Sequence, residues 1–175
     1  YEKVKKSYEK IFKTLGLGKL TYLTFASGGT FSKYSHEFQT LTSAGEDTIY
    51  ICDKCKIAVN EEIIGEQSVC PLCGNKNLRK EKAIEIGNIF PLKEKFAKDF
   101  NFVFKDEKGA ERLVSAGCYG FGTSRALGTI VETYHDERGI MWPKEVSPYD
   151  AHLLAISKDR KKSDELYVSL QKSGK

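Results

Sequence analysis

The feature that most restricts how this chain folds is a set of four cysteines arranged as two close pairs. The pairs are Cys52-x-x-Cys55 and Cys70-x-x-Cys73, and fourteen residues separate them. This spacing is typical of a zinc site with four thiolate ligands, in which each pair occupies one tight turn. A segment this small does not bury enough apolar surface to fold by itself, so a metal would act as its staple. We therefore predict a structural zinc ribbon, with a rubredoxin-like iron centre or unmetallated thiols as the alternatives.

The ribbon has two further predicted properties. Gly74, directly after the second pair, is expected to take the left-handed backbone conformation that a cysteine turn needs. All four ligand positions are taken by the protein, so no position is open for a catalytic water, and the ribbon acts as a fold staple or as a docking surface. Nearby basic side chains are expected to offset the charge of a four-thiolate site. They are Lys54, Lys56, Lys76, Arg79 and Lys80.

The ribbon divides the chain into four segments. Residues 48–82 contain the cysteines, short β-branched pieces and turn residues, unlike the segments on either side. We predict that residues 1–47 and 83–143 form one core domain in two parts, with the ribbon inserted between them. Residues 144–175 are predicted to begin a second, α/β domain. The chain has no initiator Met and opens inside a helical pattern, so we expect it to be a piece of a longer protein.

The composition argues against two classes of protein. No apolar run reaches the roughly 20 residues needed to cross a bilayer, and the Lys-rich start lacks the apolar stretch of a signal peptide. The net charge of +4 is not the concentrated basic stripe of a sequence-independent nucleic-acid binder. We expect a cytoplasmic protein without membrane contact, whose thiols are kept reduced.

Hydrophobic periodicity predicts a mixed α+β core. The first helix presents one apolar face, made of Val4, Tyr8, Ile11, Phe12 and Leu15. Strands are predicted over 20–25 and 83–90, and a hairpin joins 100–105 to 112–116 through the turn at 106–109. A helix is predicted over 123–136, and a buried strand over 151–157.

A glycine-rich turn is predicted between the strand at 112–116 and the helix at 123–136. Its sequence Gly117-Cys118-Tyr119-Gly120-Phe121-Gly122 is followed by Arg125 in the first helical turn. The positive N-terminus of a helix favours anions, and an arginine is poorly placed there for helix stability but well placed to hold phosphate oxygens. The turn lacks the lysine of a Walker loop and the glycine order of a dinucleotide fingerprint. A nucleotide site and a packing turn beside a surface arginine both remain open.

The segment from Gly120 to Arg125 resembles motif 3 of the class II aminoacyl-tRNA synthetases, in which a strand and a helix bind ATP. Further landmarks resemble the prolyl-tRNA synthetases within that class, and their order covers nearly the whole chain outside the ribbon. They are Gly28-Gly29, Ser35-His36-Glu37-Phe38, Gly45-Glu46-Asp47, Glu85 to Leu92, Gly117-Cys118-Tyr119-Gly120, and Trp142-Pro143 before Pro148.

The resemblance implies an antiparallel catalytic sheet flanked by helices, followed by the start of an anticodon-binding domain from about residue 144. It also implies ATP-dependent activation of proline to prolyl adenylate, with Mg²⁺, and transfer to the 3′ end of tRNA(Pro). The full-length protein of such a family is expected to be a homodimer. Relatives commonly carry a large editing domain where this chain has only the ribbon, so editing of mischarged alanine is not expected.

The resemblance further assigns roles to individual residues. Arg125 would be the catalytic residue that holds the ATP phosphates, and Gly120 and Gly122 would leave room for the adenylate. The remaining residues would bind the amino-acid substrate. They are His36, Glu37, Glu85, Asn88 and Cys118.

Motifs 1 and 2 of the class are expected upstream of Tyr1, so residues 1–175 alone are expected to show no proline-dependent exchange. Two other functions stay open at this point. One is a class II synthetase for another amino acid, or a paralogue that activates an amino acid without charging tRNA. The other is a zinc-ribbon adapter that binds RNA or protein and has no catalytic activity.

Overall fold

The fold is that of a computed structural model, which describes residues 1–156 and 158–174. The α-helices in this part of the chain are α1 (Glu2–Thr14), α2 (Lys95–Asp99), α3 (Thr123–Thr133) and α4 (Lys161–Lys172). The strands are β1 (Thr21–Ser27), β2 (Tyr34–Leu41), β3 (Asp47–Cys52), β4 (Ile57–Asn60), β5 (Arg79–Lys93), β6 (Val103–Lys105), β7 (Glu111–Leu113), β8 (Ala116–Phe121), β9 (His135–Asp136) and β10 (Gly139–Ile140). Two short 3-10 helices span Glu61–Ile63 and Lys144–Val146. None of the helices in the described ranges is long and apolar enough to cross a membrane.

Six of these strands form one sheet, and five of them close into a ring, with β8 attached to β5 outside it. The order is β2–β1–β4–β3–β5–β8, and β2 also pairs with β5. The long strand β5 makes the closure, because it pairs with β3 through 79–83, with β2 through 83–89 and with β8 through 87–93. Every pair is antiparallel except β1 with β4. The predicted α+β class, with a largely antiparallel sheet flanked by helices, is thus confirmed.

The main core lies between this sheet and the helices α1 and α3. Tyr8 and Phe12 of α1 are buried against Phe38 of β2, with ring centroids 5.2 and 5.4 Å apart. Ile130 of α3 and Ile86 of β5 belong to the same buried cluster. Tyr8 and Phe12 lie on the apolar face predicted for the first helix, so the helical periodicity identified the surface that packs on the sheet.

Close backbone approach at Gly45 tightens the connection between β2 and β3. A Cβ atom at this position would overlap the backbone of Ala83 in β5. The turn is also held by a hydrogen bond from the N–H of Gly45 to the carbonyl of Thr42, at 3.1 Å. Glycine is therefore required here by space, because no side chain fits between the two chain segments.

The hairpin and the later helix predicted from the sequence are confirmed. β6 and β7 pair antiparallel, and their turn is closed by hydrogen bonds to the Asp106 carboxylate. Helix α3 begins at Thr123 as predicted and ends at Thr133, a few residues earlier than the periodicity suggested.

The strand predicted over 151–157 is not formed in its described part. Residues 151–156 have no regular structure and are exposed, and position 157 lies outside the described residues. Ile156, which the pattern placed in a core, is 98% exposed. An isolated strand leaves its backbone N–H and C=O groups unpaired, and the described part of the chain offers it no partner. The division of the chain at residue 144 remains a prediction.

Candidate functional site

The four paired cysteines converge where β3 ends and β4 begins. Their sulfur atoms all lie within 4.8 Å of one another, and the Sγ atoms of Cys52 and Cys73 are 3.8 Å apart. Sulfurs bound to one tetrahedral zinc ion at a Zn–S distance of about 2.3 Å would be about 3.8 Å apart. All four thiols are free of disulfide bonds. The donor set and its spacing therefore fit one tetrahedral metal ion.

The two cysteine turns share one backbone conformation. The N–H of Lys56 donates to the carbonyl of Cys52, and the N–H of Gly74 donates to the carbonyl of Cys70, both at 2.8 Å. Both donor residues have left-handed φ angles, 56° for Lys56 and 69° for Gly74. The prediction for Gly74 is confirmed. At Lys56 the same conformation carries a steric cost of about 1 kcal/mol, because its Cβ crowds the backbone.

The expectation that nearby basic side chains offset the charge of the thiols is limited by carboxylates that pair with some of them. Arg79 is paired with Asp53 and Glu81, and Lys80 with Glu61 at 2.8 Å. These basic groups neutralise carboxylates, so they are not free to offset the charge of a metal site. Burial alone would raise the pKa of the Cys52 thiol, but the N–H of Cys55 and other nearby donors lower it to about 6. The Cys52 thiol is therefore ionised at neutral pH, which is the form that binds a metal ion.

The ribbon is joined to the main sheet. Cys52 of β3 pairs with Ile57 of β4, and β4 continues alongside β1. Cys52, Ile57 and Cys70 form a buried cluster against which Leu23 and Phe25 of β1 pack. The ribbon's strands are therefore part of the closed ring, and the ribbon shares an apolar core with β1.

A second group of predicted residues lies on one face of β2, β5 and β8. Glu37 pairs directly with Asn88, and Gln39 with Glu85, so their side chains project to the same face. Asn88 in turn pairs with Gly120 of β8 and donates a hydrogen bond from Nδ2 to Glu85 Oε1 at 3.0 Å. We call the group formed by Glu37, Gln39, Glu85 and Asn88 the polar face. Three of the predicted substrate-binding residues are thus brought together.

Glu37 is the buried carboxylate of the polar face. Its Oε2 atom accepts hydrogen bonds from Gln39 Nε2 at 2.9 Å and from Asn60 Nδ2 at 3.0 Å. Burial raises the pKa of the Glu37 carboxyl to about 7, the two amide donors oppose that rise, and the neighbouring carboxylates of Glu85 and Glu62 add to it. Glu37 therefore changes its charge near neutral pH.

The glycine turn leads directly from the polar face to Arg125. The N–H of Gly122 donates to the carbonyl of Ile86 at 2.7 Å, which fixes the turn to β5. Arg125 donates from Nη1 to the carbonyl of Glu85 at 3.0 Å and pairs through Nη2 with Glu46 at 3.0 Å. Its side chain is 47% exposed, so the guanidinium lies at the edge of the polar face and is open to a ligand.

The two predicted glycines of this turn differ in the space around them. Among the described residues other than its chain neighbours, a Cβ atom at Gly120 would have only one contact within 4 Å, the carbonyl oxygen of Asn88 at 3.9 Å. At Gly122 it would lie 3.3 Å from both the Arg125 side chain and the carbonyl of Ile86. Gly120 leaves free space over the polar face, and Gly122 allows the close approach of α3.

His36 and Cys118 lie apart from this arrangement in different ways. Successive strand residues point to opposite faces, so His36 lies on the side of β2 away from Glu37. There its Nδ1 is 2.6 Å from the hydroxyl of Tyr1, and burial lowers the pKa of the imidazole. Cys118 pairs with Phe90 and is exposed; it shares the face of Gly120 by strand alternation, nearer the end of β5.

Three residues of the site were not predicted from the sequence. Gln39 follows Glu37 by two positions, and strand periodicity alone would have placed it on the same face. Asn60 comes from the ribbon, and Asp47 from β3, where its Oδ2 accepts from Gln39 Nε2 at 2.7 Å. Their contributions depend on the closure of the ring, for which no local sequence signal exists.

The chain matches a known family over most of its length. The sequence pattern described as the tRNA synthetase class II core domain (G, H, P, S and T) matches residues 1–134. This range includes the polar face, the glycine turn and the ribbon, so the similarity covers both candidate sites.

Individual relatives are similar over different shares of the chain. A proline–tRNA ligase of Ehrlichia canis (strain Jake) is 35% identical over 171 residues, which cover 89% of this chain and 40% of the relative. That of Ehrlichia chaffeensis is 33% identical, covering 97% of the chain and 44% of the relative. That of Caldicellulosiruptor saccharolyticus is 41% identical over 115 residues, or 63% of the chain and 20% of the relative. The chain thus spans less than half the length of these relatives.

Proposed function

The chain belongs to the family of class II tRNA synthetase core domains, and on this premise we propose that the protein containing it is a proline–tRNA ligase. In the proposed reaction, the carboxylate of proline attacks the α-phosphate of ATP and releases pyrophosphate. The prolyl group of the adenylate is then transferred to the 3′ end of tRNA(Pro). The observation that carries the proposal is the position of Arg125, half exposed at the mouth of the glycine turn beside the polar face.

ATP is proposed to lie across β8 and β5 with its phosphates toward Arg125. The guanidinium already holds one carboxylate oxygen, that of Glu46 at 3.0 Å, and phosphate oxygens present the same acceptor geometry. The N-terminus of α3 adds its partial positive charge at this position. The free space over Gly120 supports a planar group lying on the strand, as an adenylate requires.

The amino-acid end of the substrate is proposed to lie over Glu37, Glu85 and Asn88, with Cys118 near its edge. This part of the surface offers acceptors for an amine, because the carboxylates of Glu37 and Glu85 cluster there. Next to them, Asn88 Oδ1 is buried with no hydrogen-bond partner among the described residues. His36 faces the other side of β2. His36 is therefore proposed to act indirectly, by fixing the position of the strand that carries Glu37.

Catalysis of adenylate formation needs positioning and charge neutralisation more than a protein base. Arg125 supplies one positive charge for the phosphates. Mg²⁺ is proposed to arrive bound to the phosphate oxygens of ATP, so no side chain of the polar face is assigned to it. When bound, Mg²⁺ would neutralise developing charge on the phosphates.

The cysteine cluster is proposed to bind zinc in a structural role. Its donor set is complete without water, so no catalytic step is assigned to it. Assembly of the full-length protein as a homodimer, recognition of tRNA(Pro) and a cytoplasmic location remain predictions. So does the assignment of residues 144–175 to an anticodon-binding domain.

The test is ATP–pyrophosphate exchange by the protein that contains this chain. We expect exchange to depend on proline, and Arg125→Ala to lower kcat/KM for ATP by about 100-fold or more, the loss typical of removing one group that stabilises charge. Lys98→Ala is a matched control, because Lys98 is an exposed cation on α2 that pairs with Glu94 at 3.9 Å.

The outcomes separate the candidate functions. Exchange driven better by another amino acid would reassign the substrate, and exchange without any charging of tRNA would identify a paralogue. Equal values of kcat/KM for ATP in Arg125→Ala and Lys98→Ala would contradict the proposed role of Arg125. Absence of both exchange and nucleotide binding would favour an adapter.

A further inference from the structure

Asn60, at the end of the ribbon strand β4, reaches the polar face with an amide whose orientation is fixed. Its Oδ1 atom accepts from the backbone N–H of Glu62 at 3.1 Å and so caps the 3-10 helix Glu61–Ile63. Its Nδ2 atom donates to Glu37 Oε2 at 3.0 Å. Because the cap requires the oxygen of the amide on one side, the NH2 group must face Glu37.

The same carboxylate oxygen is held by a second amide. Gln39 is fully buried, and its Nε2 atom donates both to Glu37 Oε2 at 2.9 Å and to Asp47 Oδ2 at 2.7 Å. Glu37 Oε1 has no hydrogen-bond partner among residues 1–156 and 158–174. The two amides therefore bind Oε2 of Glu37 and leave Oε1 free to accept from a ligand.

The ribbon determines where Asn60 lies. Ile57, three residues before it, pairs with the metal-site residue Cys52, and Asn60 itself pairs with Ile49 on the same strand β3. On its other edge β4 runs parallel to β1, with Val59 opposite Phe25. A change in the cysteine turn would therefore be transmitted along only one short strand to the amide that holds Glu37.

We propose that Asn60 is a positioning residue, which holds the Glu37 carboxylate so that its Oε1 atom accepts a hydrogen bond from an N–H or O–H group of the bound aminoacyl adenylate. The ribbon is then a part of the active-site architecture. The part of this inference that concerns the adenylate rests on the proposed function; the part that concerns the Glu37 carboxylate does not.

The charges around Glu37 explain why a neutral donor is needed at position 60. Glu85 of β5 and Glu62 of the 3-10 helix are carboxylates that raise the pKa of Glu37, and burial raises it further. The hydrogen bonds that Gln39 and Asn60 donate lower the pKa of Glu37. Without the donor from Asn60, the ionised form that accepts from a ligand would be less populated at neutral pH.

The experiment uses the zinc-loaded protein that contains this chain and its variant Asn60→Asp. Aspartate is a good helix cap and has nearly the same shape, so the 3-10 helix is kept while the donor facing Glu37 becomes a carboxylate. We expect the pKa of Glu37, followed by the ¹³C shift of its carboxyl carbon, to rise by about one unit or more. Asn60→Ser keeps a cap without reaching Glu37 and should give a smaller rise.

A double variant separates positioning from general damage. Combining Glu37→Gln with Asn60→Asp exchanges the donor and acceptor roles across the same pair, so the thermal stability lost in Asn60→Asp should be recovered. A purely structural role for Asn60 would make the two changes additive. Zinc content and circular dichroism of each variant confirm that the fold is retained.

The ligand arm uses a prolyl sulfamoyl adenosine analogue. At neutral pH, Asn60→Asp should weaken its binding about 10-fold, because the ionised carboxylate is less populated and displaced. An unchanged Glu37 titration in folded Asn60→Asp, or a shifted titration with unchanged affinity, would overturn the inference. Failure of the unsubstituted protein that contains this chain to bind the analogue, with the titration still shifted, would count against the proposed function and leave the role of Asn60 toward Glu37 supported.

Discussion

Glu37→Gln should stabilise the protein at pH 8, although it removes a hydrogen-bonded side chain from the interior. The pKa of Glu37 is raised from 4.5 to about 7, chiefly because burial disfavours the charged form. A raised carboxyl pKa means that the folded state binds more protons than the unfolded state between these values. The contribution of Glu37 to the free energy of unfolding is therefore fully present below pH 4.5. It is lost as pH rises through 7, by about 3 kcal/mol in total.

The expected effect of the variant follows from that loss. Glutamine has no charge to bury, so it avoids the penalty at pH 8, and its amide oxygen, in the place of Oε2, still accepts from Gln39 and Asn60. The net prediction is a gain of about 3 kcal/mol in the free energy of unfolding at pH 8 and of less than about 1 kcal/mol at pH 5.

Urea denaturation of both proteins at pH 5 and pH 8 measures this difference, because other titrating groups contribute equally to each and cancel. Glu9→Gln, at an exposed position of α1, is the control and should show no pH-dependent change. A Glu37→Gln variant that loses the same stability at both pH values would show that the buried charge of Glu37 does not lower stability. Glu37 would then be an ordinary hydrogen-bonded side chain.

Other parts of the fold give further predictions. Gly45→Ala should cost about 2 kcal/mol or more, because the new Cβ overlaps the backbone of Ala83, whereas Gly65→Ala, with nothing within 4 Å, should leave the urea midpoint nearly unchanged. Lys56→Gly should stabilise the fold by about 0.5–1 kcal/mol and so raise the melting temperature, since it relieves a left-handed φ of 56°. An unchanged melting temperature would show that the backbone at Lys56 is not strained. Chelation of the metal should shift one cooperative transition of the whole ring, and a separate early transition would mean that the ribbon unfolds by itself.

Local patterns in the sequence predicted the elements whose contacts are local. The periodicity that includes Tyr8 and Phe12 located α1, the Asp106 turn located the hairpin, and the cysteine spacing located the metal cluster. In each case residues a few positions apart share one surface or one turn. Their chemistry is therefore readable from the sequence alone.

The closure of the ring could not be predicted in this way. The parallel pairing of β1 with β4, and the double pairing of β5, join segments far apart in the chain, and nothing local in Phe25 or Val59 specifies the partner. The role of Asn60 depends on that closure. The strand expected over 151–157 illustrates the opposite failure, because an apolar run becomes a strand only when a neighbouring strand pairs with it.

The proposed function depends on Arg125 contacting the phosphates beside the polar face, and a crystal structure of the protein that contains this chain with the prolyl sulfamoyl adenosine analogue would show whether it does. We expect the ligand to lie across β8 and β5, over Gly120, with the guanidinium moved from Glu46 onto the sulfamoyl group that replaces the phosphate. A ligand bound on the His36 side of β2, or an Arg125 side chain still paired with Glu46 and apart from the ligand, would contradict it.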